Sequence, residues 1–291
     1  MTIQVVEQSA ISKKPKRFHR RQLSRRDWLL AIVAYLVAAV FLVPYLEMIV
    51  TAVSPANQLG TSRILPSHFD FSNFTSLWSL GLGANLGVSL EVGIGATILV
   101  TLVALPAAYY TARKRFRGRM FFLVLVLITQ MFQPTALLVG IYGEFTKLGL
   151  TDSVLGLVIV NSAFNLAFAT WIMTAYISSI PVELEEAAFV DGTTRLGALR
   201  RITLPLALPG IVTAMIFTFI SAWNELVVAL VLTSTPSHQP LTVALDGFIG
   251  GYQIDWGHLF ATSVISTIPV IVLFAFIEGR VVGGLTAGSL K

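Results

Sequence analysis

Six long stretches of this chain carry almost no charge, at residues 28–50, 86–110, 120–142, 154–177, 206–232 and 259–282. A helix needs roughly 20 predominantly apolar residues to cross the hydrocarbon of a bilayer, and each stretch meets that length. With no water there to satisfy backbone N–H and C=O groups, only helices and closed barrels can span. These runs are longer than barrel strands and do not alternate. The chain is therefore expected to be an all-α integral membrane protein with six transmembrane helices. Composition agrees, with 12% charged residues in 291, half of the roughly 25% usual in a soluble domain. The first run is long enough to span and lacks a small-residue cleavage site, so it reads as a span and not as a leader.

The basic residues orient the spans. Eight of the twenty Lys and Arg lie in the N-terminal tail, KKPKRFHRRQLSRR and its neighbours. Five more lie between Arg113 and Arg119, three are Arg195, Arg200 and Arg201, and two are Arg280 and Lys291. All of these fall on one side of a six-span chain, and only Arg63 and Lys147 fall on the other. Because cytoplasmic loops carry the excess of Lys and Arg, both termini are expected in the cytoplasm. The expected organisation is a basic cytoplasmic tail at 1–27, a first span at 28–50 and an external segment at 51–85. A five-helix core follows at 86–282, with a cytoplasmic loop at 178–205 inside it, and then a cytoplasmic tail at 283–291. A basic tail directly abutting a span reads as a topology determinant touching anionic headgroups, not as a nucleic-acid site. The chain has no cysteine, which excludes disulfides and thiolate metal sites.

The loop at 178–205 is unlike the rest. Pro181 suits the first turn of a helix, and Glu183, Glu185 and Glu186 place negative charge at its N-terminal end, where the helix dipole favours it. Leu184, Ala187 and Ala188 make a narrow apolar stripe. Gly192 ends the helix as a residue able to take positive φ, and Thr193 or Thr194 can cap a second short helix. Helices that lie on headgroups favour Lys, Arg and large apolar residues. Glu with Ala instead suits a cleft in another protein.

Glu186-Ala187-Ala188, then Gly192 after three residues, then Ile202-Thr203-Leu204-Pro205 after nine more, resembles the EAA signature of binding-protein-dependent ABC importer permeases at every fixed position. Pro181-Val182-Glu183-Leu184-Glu185, Trp223-Asn224-Glu225 and the ending Gly284-Leu285-Thr286-Ala287-Gly288 resemble the sugar-permease branch, similar to the smaller permease of maltose-type importers. The final Gly288-Ser289-Leu290-Lys291 departs from that branch's usual Gly-Ala-Val-Lys-Gly-like tail. The resemblance implies a type I importer fold in the plasma membrane of a bacterium or archaeon. It implies a second homologous permease, an ATPase dimer, an external solute-binding protein and a carbohydrate substrate. It also implies that Glu185, Glu186, Ala187, Ala188, Asp191, Gly192, Leu204 and Pro205 form the coupling loop that meets the ATPase.

What is missing narrows the function. A P-loop needs G-x-x-x-x-G-K-[ST], and none of the lysines, 13, 14, 16, 114, 147 and 291, follows a glycine. ATP and Mg are thus expected on the partner ATPase, with no cofactor or metal in this chain. The four histidines, at 19, 68, 238 and 258, include no H-E-x-x-H pair, and no acid, base and nucleophile converge at membrane depth as catalysis requires. His258 abuts the sixth span and reads as an interfacial anchor. A self-contained secondary transporter usually shows internal repeats, which are absent, although Glu47, Glu91 and Glu225 lie within spans. A permease for a solute other than a sugar is the other alternative.

Asn161 and Asn165, four apart on one helix face, are candidates for the substrate path, as are Asn224 and Glu225. For the asparagines, polar packing between helices is the competing reading. Gln130 and Gln133-Pro134 in the third span either line a cavity or accommodate a proline kink.

Overall fold

The computed structural model of the chain describes residues 25–55, 58, 66–114 and 116–287. Most of the basic tail, with His19, Arg63, Arg115 and Gly288 to Lys291, lies outside the described residues. The chain divides into two compact units, Met1–Leu46 and Glu47–Lys291. The first contains most of helix α1 (Arg25–Ala52), which carries Pro44 inside it.

In the second unit, α2 (Ser72–Ser79) and the long α3 (Leu82–Arg113) precede α4 (Arg119–Thr129), α5 (Pro134–Leu148) and α6 (Val154–Ser179). Two short helices, α7 (Glu183–Val190) and α8 (Arg195–Ala198), lead through a π turn (Leu199–Thr203) into α9 (Leu204–Trp223). After α10 (Val227–Leu232), a 3₁₀ turn (Pro236–His238) and α11 (Leu241–Gly247), the chain ends its described part in α12 (Trp256–Ala287). The fold is all-α. Among the described residues the only strand-like pairing is a single bridge between Ile249 and Ile254.

Among the described residues, five helical stretches are long and apolar enough to cross a membrane: α1, α3, α6, the run from α8 through α9, and α12. The third expected span is not one helix. It is the pair α4 and α5, bent by 92° across a four-residue break. The cause is local. Proline disfavours the helical conformation in the residue before it, and Gln133 is extended at φ −69°, ψ 130° with Pro134 opening α5. Gln130 fixes the break in place by donating from Nε2 to the Phe164 carbonyl of α6 at 3.0 Å. The fifth expected span is also shorter than its apolar run, because α9 stops at Trp223 and α10 begins at Val227.

The core of the second unit is a three-helix contact of α3, α6 and α9. Apolar side chains gain nothing by leaving lipid for protein, so close approach of small residues drives helix packing there. On α3 these are Val100, Ala104 and Ala108, spaced by four. Ala169, Met173 and Ile177 of α6 and Ala207, Ile211 and Ala214 of α9 meet them. At Gly210 a Cβ would lie 2.2 Å from the Tyr176 ring, so α9 approaches α6 to a distance only glycine allows. A second cluster joins α5, α6 and α10 through Leu138, Leu157, Val160, Val228 and Leu232. The second halves of the two broken spans therefore pack together.

Candidate functional site: the loop that joins α6 to α9

Pro181 sits just outside α7, not in its first turn, and its effect is on what precedes it. Ile180 is extended, with ψ 126°, as a residue before proline prefers, and α6 ends there. Helix α7 then runs eight residues with three glutamates in its first turn and no side-chain cap. The glutamates supply the compensating charge at the helix N-terminus. At the other end Gly192 takes φ +82°. The Gly192 N–H donates to Phe189 and the Thr193 N–H to Ala188, at 3.0 and 2.9 Å, and the longer of these loops is the Schellman closure that satisfies terminal carbonyls. Of the two candidate caps for α8, Thr194 is the one used: its hydroxyl accepts from the Gly197 N–H at 3.2 Å.

Adjacent residues on a helix point about 100° apart, and this separates two glutamates that look alike in sequence. Glu186 is exposed. Among the described residues its carboxylate takes part in no hydrogen bond or ion pair. Glu185 is 3% exposed. Its carboxylate accepts from Arg113 Nε at 2.7 Å and from the Tyr109 hydroxyl at 3.0 Å, both on α3, and from the hydroxyl of Thr203 in the π turn. Arg113 Nη1 also donates to the Ile180 carbonyl at the end of α6, at 3.0 Å. Burial opposes ionisation of Glu185, but the bonds from Thr203, Arg113 and Tyr109 outweigh it and hold the carboxyl below the usual carboxylate range. Ala188 is likewise turned inward at 9% exposure, while Ala187 is exposed. The outward face of α7 therefore consists of Glu183, Glu186, Ala187 and Val190, one helical stripe, with Asp191 exposed beside it. Leu204 packs on the three-helix core, and Pro205 is exposed in the first turn of α9.

The polar residues within the spans are placed as follows. Asn161 is 3% exposed and donates to the Leu157 carbonyl of its own helix at 2.9 Å. Asn165 is half-buried and donates to the Asn161 carbonyl at 2.9 Å. Both bonds are internal to α6. Asn224 is exposed at the end of α9 and donates to the Ile220 carbonyl. Glu225 turns away from it. Its two carboxylate oxygens accept from the backbone N–H groups of Val228 and Ala229 at 2.9 and 3.2 Å, which caps α10. The Thr242 hydroxyl donates to the Glu225 carbonyl at 2.8 Å. An apolar cleft of about 520 Å³ opens between α3, α9 and α12. The one hydroxyl among its lining side chains, on Thr97, is already donated to the Gly93 carbonyl. The cleft therefore offers a polyhydroxylated solute no free side-chain donor among its lining residues.

At the end of the core opposite α7, two arrangements had no signal in the sequence. Asp152, at φ +52°, accepts from the backbone N–H groups of Ser234 and Thr235 at 2.9 Å each and from the Thr235 hydroxyl at 2.5 Å. These bonds hold its carboxyl well below the usual carboxylate range and clasp the start of α6 to the turn after α10. His258, expected as an interfacial anchor, joins three elements. Its Nδ1 lies 2.5 Å from Asp255 Oδ2, its Nε2 lies 2.7 Å from Ser76 Oγ, and its ring stacks on Phe248. The order Ser, His, Asp is that of a hydrolytic relay. Here Ser76 lies inside α2 and its hydroxyl is also bonded to the Ser72 carbonyl at 2.7 Å, so the group fastens α2 to the start of α12.

The chain resembles carbohydrate importers along nearly its whole length. It is 32% identical over 271 residues to the trehalose transport system permease protein SugB of Mycobacterium tuberculosis, covering 92% of this chain and 99% of that one. To the trehalose/maltose transport system permease protein MalG of Thermococcus litoralis it is 32% identical, covering 90% and 96%. A solved chain of a bacterial ABC transporter that imports the acidic polysaccharide alginate superposes with a TM-score of 0.75 at 25% identity, covering 88% of this chain and 98% of that one. Residues 101–283 match the family of binding-protein-dependent transport system inner membrane components, and with an exposed acidic helix braced between α6 and α9 the chain belongs to it, as the permease subunit of an ABC importer whose ATPase is a separate chain.

Proposed function

We propose that this subunit forms part of the path by which a carbohydrate, delivered by an external solute-binding protein, crosses the membrane, and that α7 is the helix through which an ATPase dimer drives it. Both termini are cytoplasmic in this reading, and a second, similar permease completes the path. The observation that carries it is the outward stripe of α7. Its carboxylates and its alanine are presented without partners among the described residues, on a helix fixed to the ends of three spans. ATP and Mg bind the partner, and Glu186, Ala187, Asp191 and Gly192 shape the contact. Glu185, Ala188, Leu204 and Pro205 serve it from behind.

The relatives named for trehalose and maltose support a carbohydrate. So does the character of the path candidates, since the side-chain oxygens of Asn165 and Asn224 are neutral acceptors suited to hydroxyl groups. Asn161 and Glu225 act by packing and capping. The test is the complete transporter in liposomes with a panel of radiolabelled disaccharides and oligosaccharides. Uptake against a gradient that requires internal ATP and the binding protein is expected for at least one sugar. Accumulation driven by an ion gradient with this chain alone, or ATP-driven uptake confined to other solutes, would overturn the proposal.

A further inference from the structure

The side of α7 that faces its own chain is built as carefully as the side that faces out. A single carboxylate, Glu185, receives donors from α3 and from the π turn that opens α9, and the guanidinium that pairs with it also grips the last carbonyl of α6. Side-chain exposure of the pair is 7% for Arg113 and 4% for Glu185. Four elements thus meet at one buried ion pair, and they are the three core helices and α7. A connector whose only duty was to join α6 to α9 would have no need of it, because Gly192, the Schellman closure and the Thr194 cap already shape the loop from within.

We propose that Arg113 and Glu185 are positioning residues that lock α7 to α3, α6 and α9, so that displacement of α7 is passed to the spans instead of being absorbed by α7 turning about the two connections that join it to α6 and α8. The geometry explains why the pair is Arg and Glu. The guanidinium fork donates from Nε to the carboxylate and from Nη1 to a backbone carbonyl at once, a two-directional grip that a lysine ammonium on a flexible stem does not reproduce. The carboxylate in turn accepts from three directions, where an amide offers a single acceptor oxygen. Arg113 belongs to none of the signature positions, and its role rests on the reading of α7 as the ATPase contact.

The lock separates two measurements that a docking residue would move together. In the complete transporter, Glu185→Gln and Arg113→Lys are expected to leave ATPase association within about twofold of wild type, because the outward stripe is untouched. Movement of the spans should be lost. The chain has no cysteine, so Ser221→Cys, exposed on α9, supplies a single reporter thiol. Its labelling rate by a maleimide is compared with and without trapping by ATP and vanadate. A trapping-dependent change of about tenfold in the otherwise wild-type chain should collapse to less than twofold with either substitution.

Thr203→Val removes one bond to the carboxylate and keeps the ion pair and the side-chain shape. It is expected to reduce the change about threefold, and it carries the test where Glu185→Gln fails to assemble. A full trapping-dependent change in Glu185→Gln or, in that event, in Thr203→Val would overturn the lock. So would loss of association in step with loss of movement. Failure of the underlying reading looks different: substitution at Glu186 would then leave association unchanged.

Discussion

Glu186→Lys separates surface recognition from folding at a single position. The side chain is exposed and makes no bond within the described chain, so the substitution breaks no contact and costs only one of the three first-turn charges at the N-terminus of α7. Stability should fall by no more than about 1 kcal/mol, the size of a first-turn charge's interaction with the helix dipole. At an interface the same change removes a carboxylate and leaves its cationic partner facing another cation. Losing one member of a buried, hydrogen-bonded charge pair costs about 2–5 kcal/mol, and about 1.4 kcal/mol is tenfold in affinity. Even the lower figure predicts association with the ATPase weakened about thirtyfold. Binding of the purified ATPase subunit to nanodisc-embedded permease pairs, titrated by fluorescence anisotropy, reads this directly, and thermal unfolding of the same nanodiscs supplies the folding control. Affinity within threefold of wild type would refute the reasoning. So would an unfolding midpoint lowered by many degrees, because it would mean that the exposed side chain is structural.

Other substitutions probe the frame. In Gly156→Ala the new methyl would lie 2.2 Å from the Leu150 carbonyl oxygen; overpacking costs about 1–3 kcal/mol, so midpoint and yield should fall, whereas Gly143→Ala, with open space around it, should be neutral. Asn161→Ala should leave the apparent affinity for solute unchanged and lower stability by about 1 kcal/mol, since the amide serves its own helix; a changed affinity would return it to the path. Asp152→Asn should speed hydrogen exchange at the Ser234 and Thr235 amides at pH 7. Because the folded pKa is depressed, the carboxylate's contribution is present above the unfolded value of about 3.9 and is lost only as pH falls through the folded one. The difference between wild type and variant should therefore persist throughout about pH 5 to 8. Glu225→Ala should fray α10, read as lost protection at Val228 and Ala229, since no other acceptor among the described side chains meets those N–H groups.

The spans were legible because hydropathy is a sum along the chain, and α3, α6 and α12 needed no more than that. A sum cannot register direction, so the 92° turn between α4 and α5 was hidden inside an uninterrupted apolar run. The Gln133-Pro134 pair was visible, and its alternatives were a kink or a cavity, but the size of the bend depends on Gln130 finding a carbonyl on another helix. The coupling loop was legible as a motif because its residues are close in sequence. Which glutamate faces which way was not, since Arg113 stands 72 residues from Glu185 and Thr203 stands 18. The link between Ser76 and His258, 182 residues apart, lies still further beyond any local pattern. Asn161 and Glu225 stand out for their polarity in apolar surroundings, and the backbone partners that the structure gives them, on Leu157, Val228 and Ala229, are not visible in the sequence.

The π turn at Leu199–Thr203 sets the phase of everything after it. A π turn accommodates one residue more than an α-helix would, and one residue is about 100° of rotation. With the turn in place, Thr203 faces Glu185 while Ala207, Gly210, Ile211 and Ala214 face the core. Deleting one residue from this turn would leave the apolar run, its length, its prolines and nearly every motif residue intact, yet it would roll α9 by more than a quarter turn about its axis. Gly210 would leave Tyr176, and a larger neighbour would take its place. Thr203 apart, whose hydroxyl bonds Glu185, subunits of this kind should therefore tolerate substitution in the turn far better than a change in its length, because what the rest of the turn stores is an angle and not a chemistry.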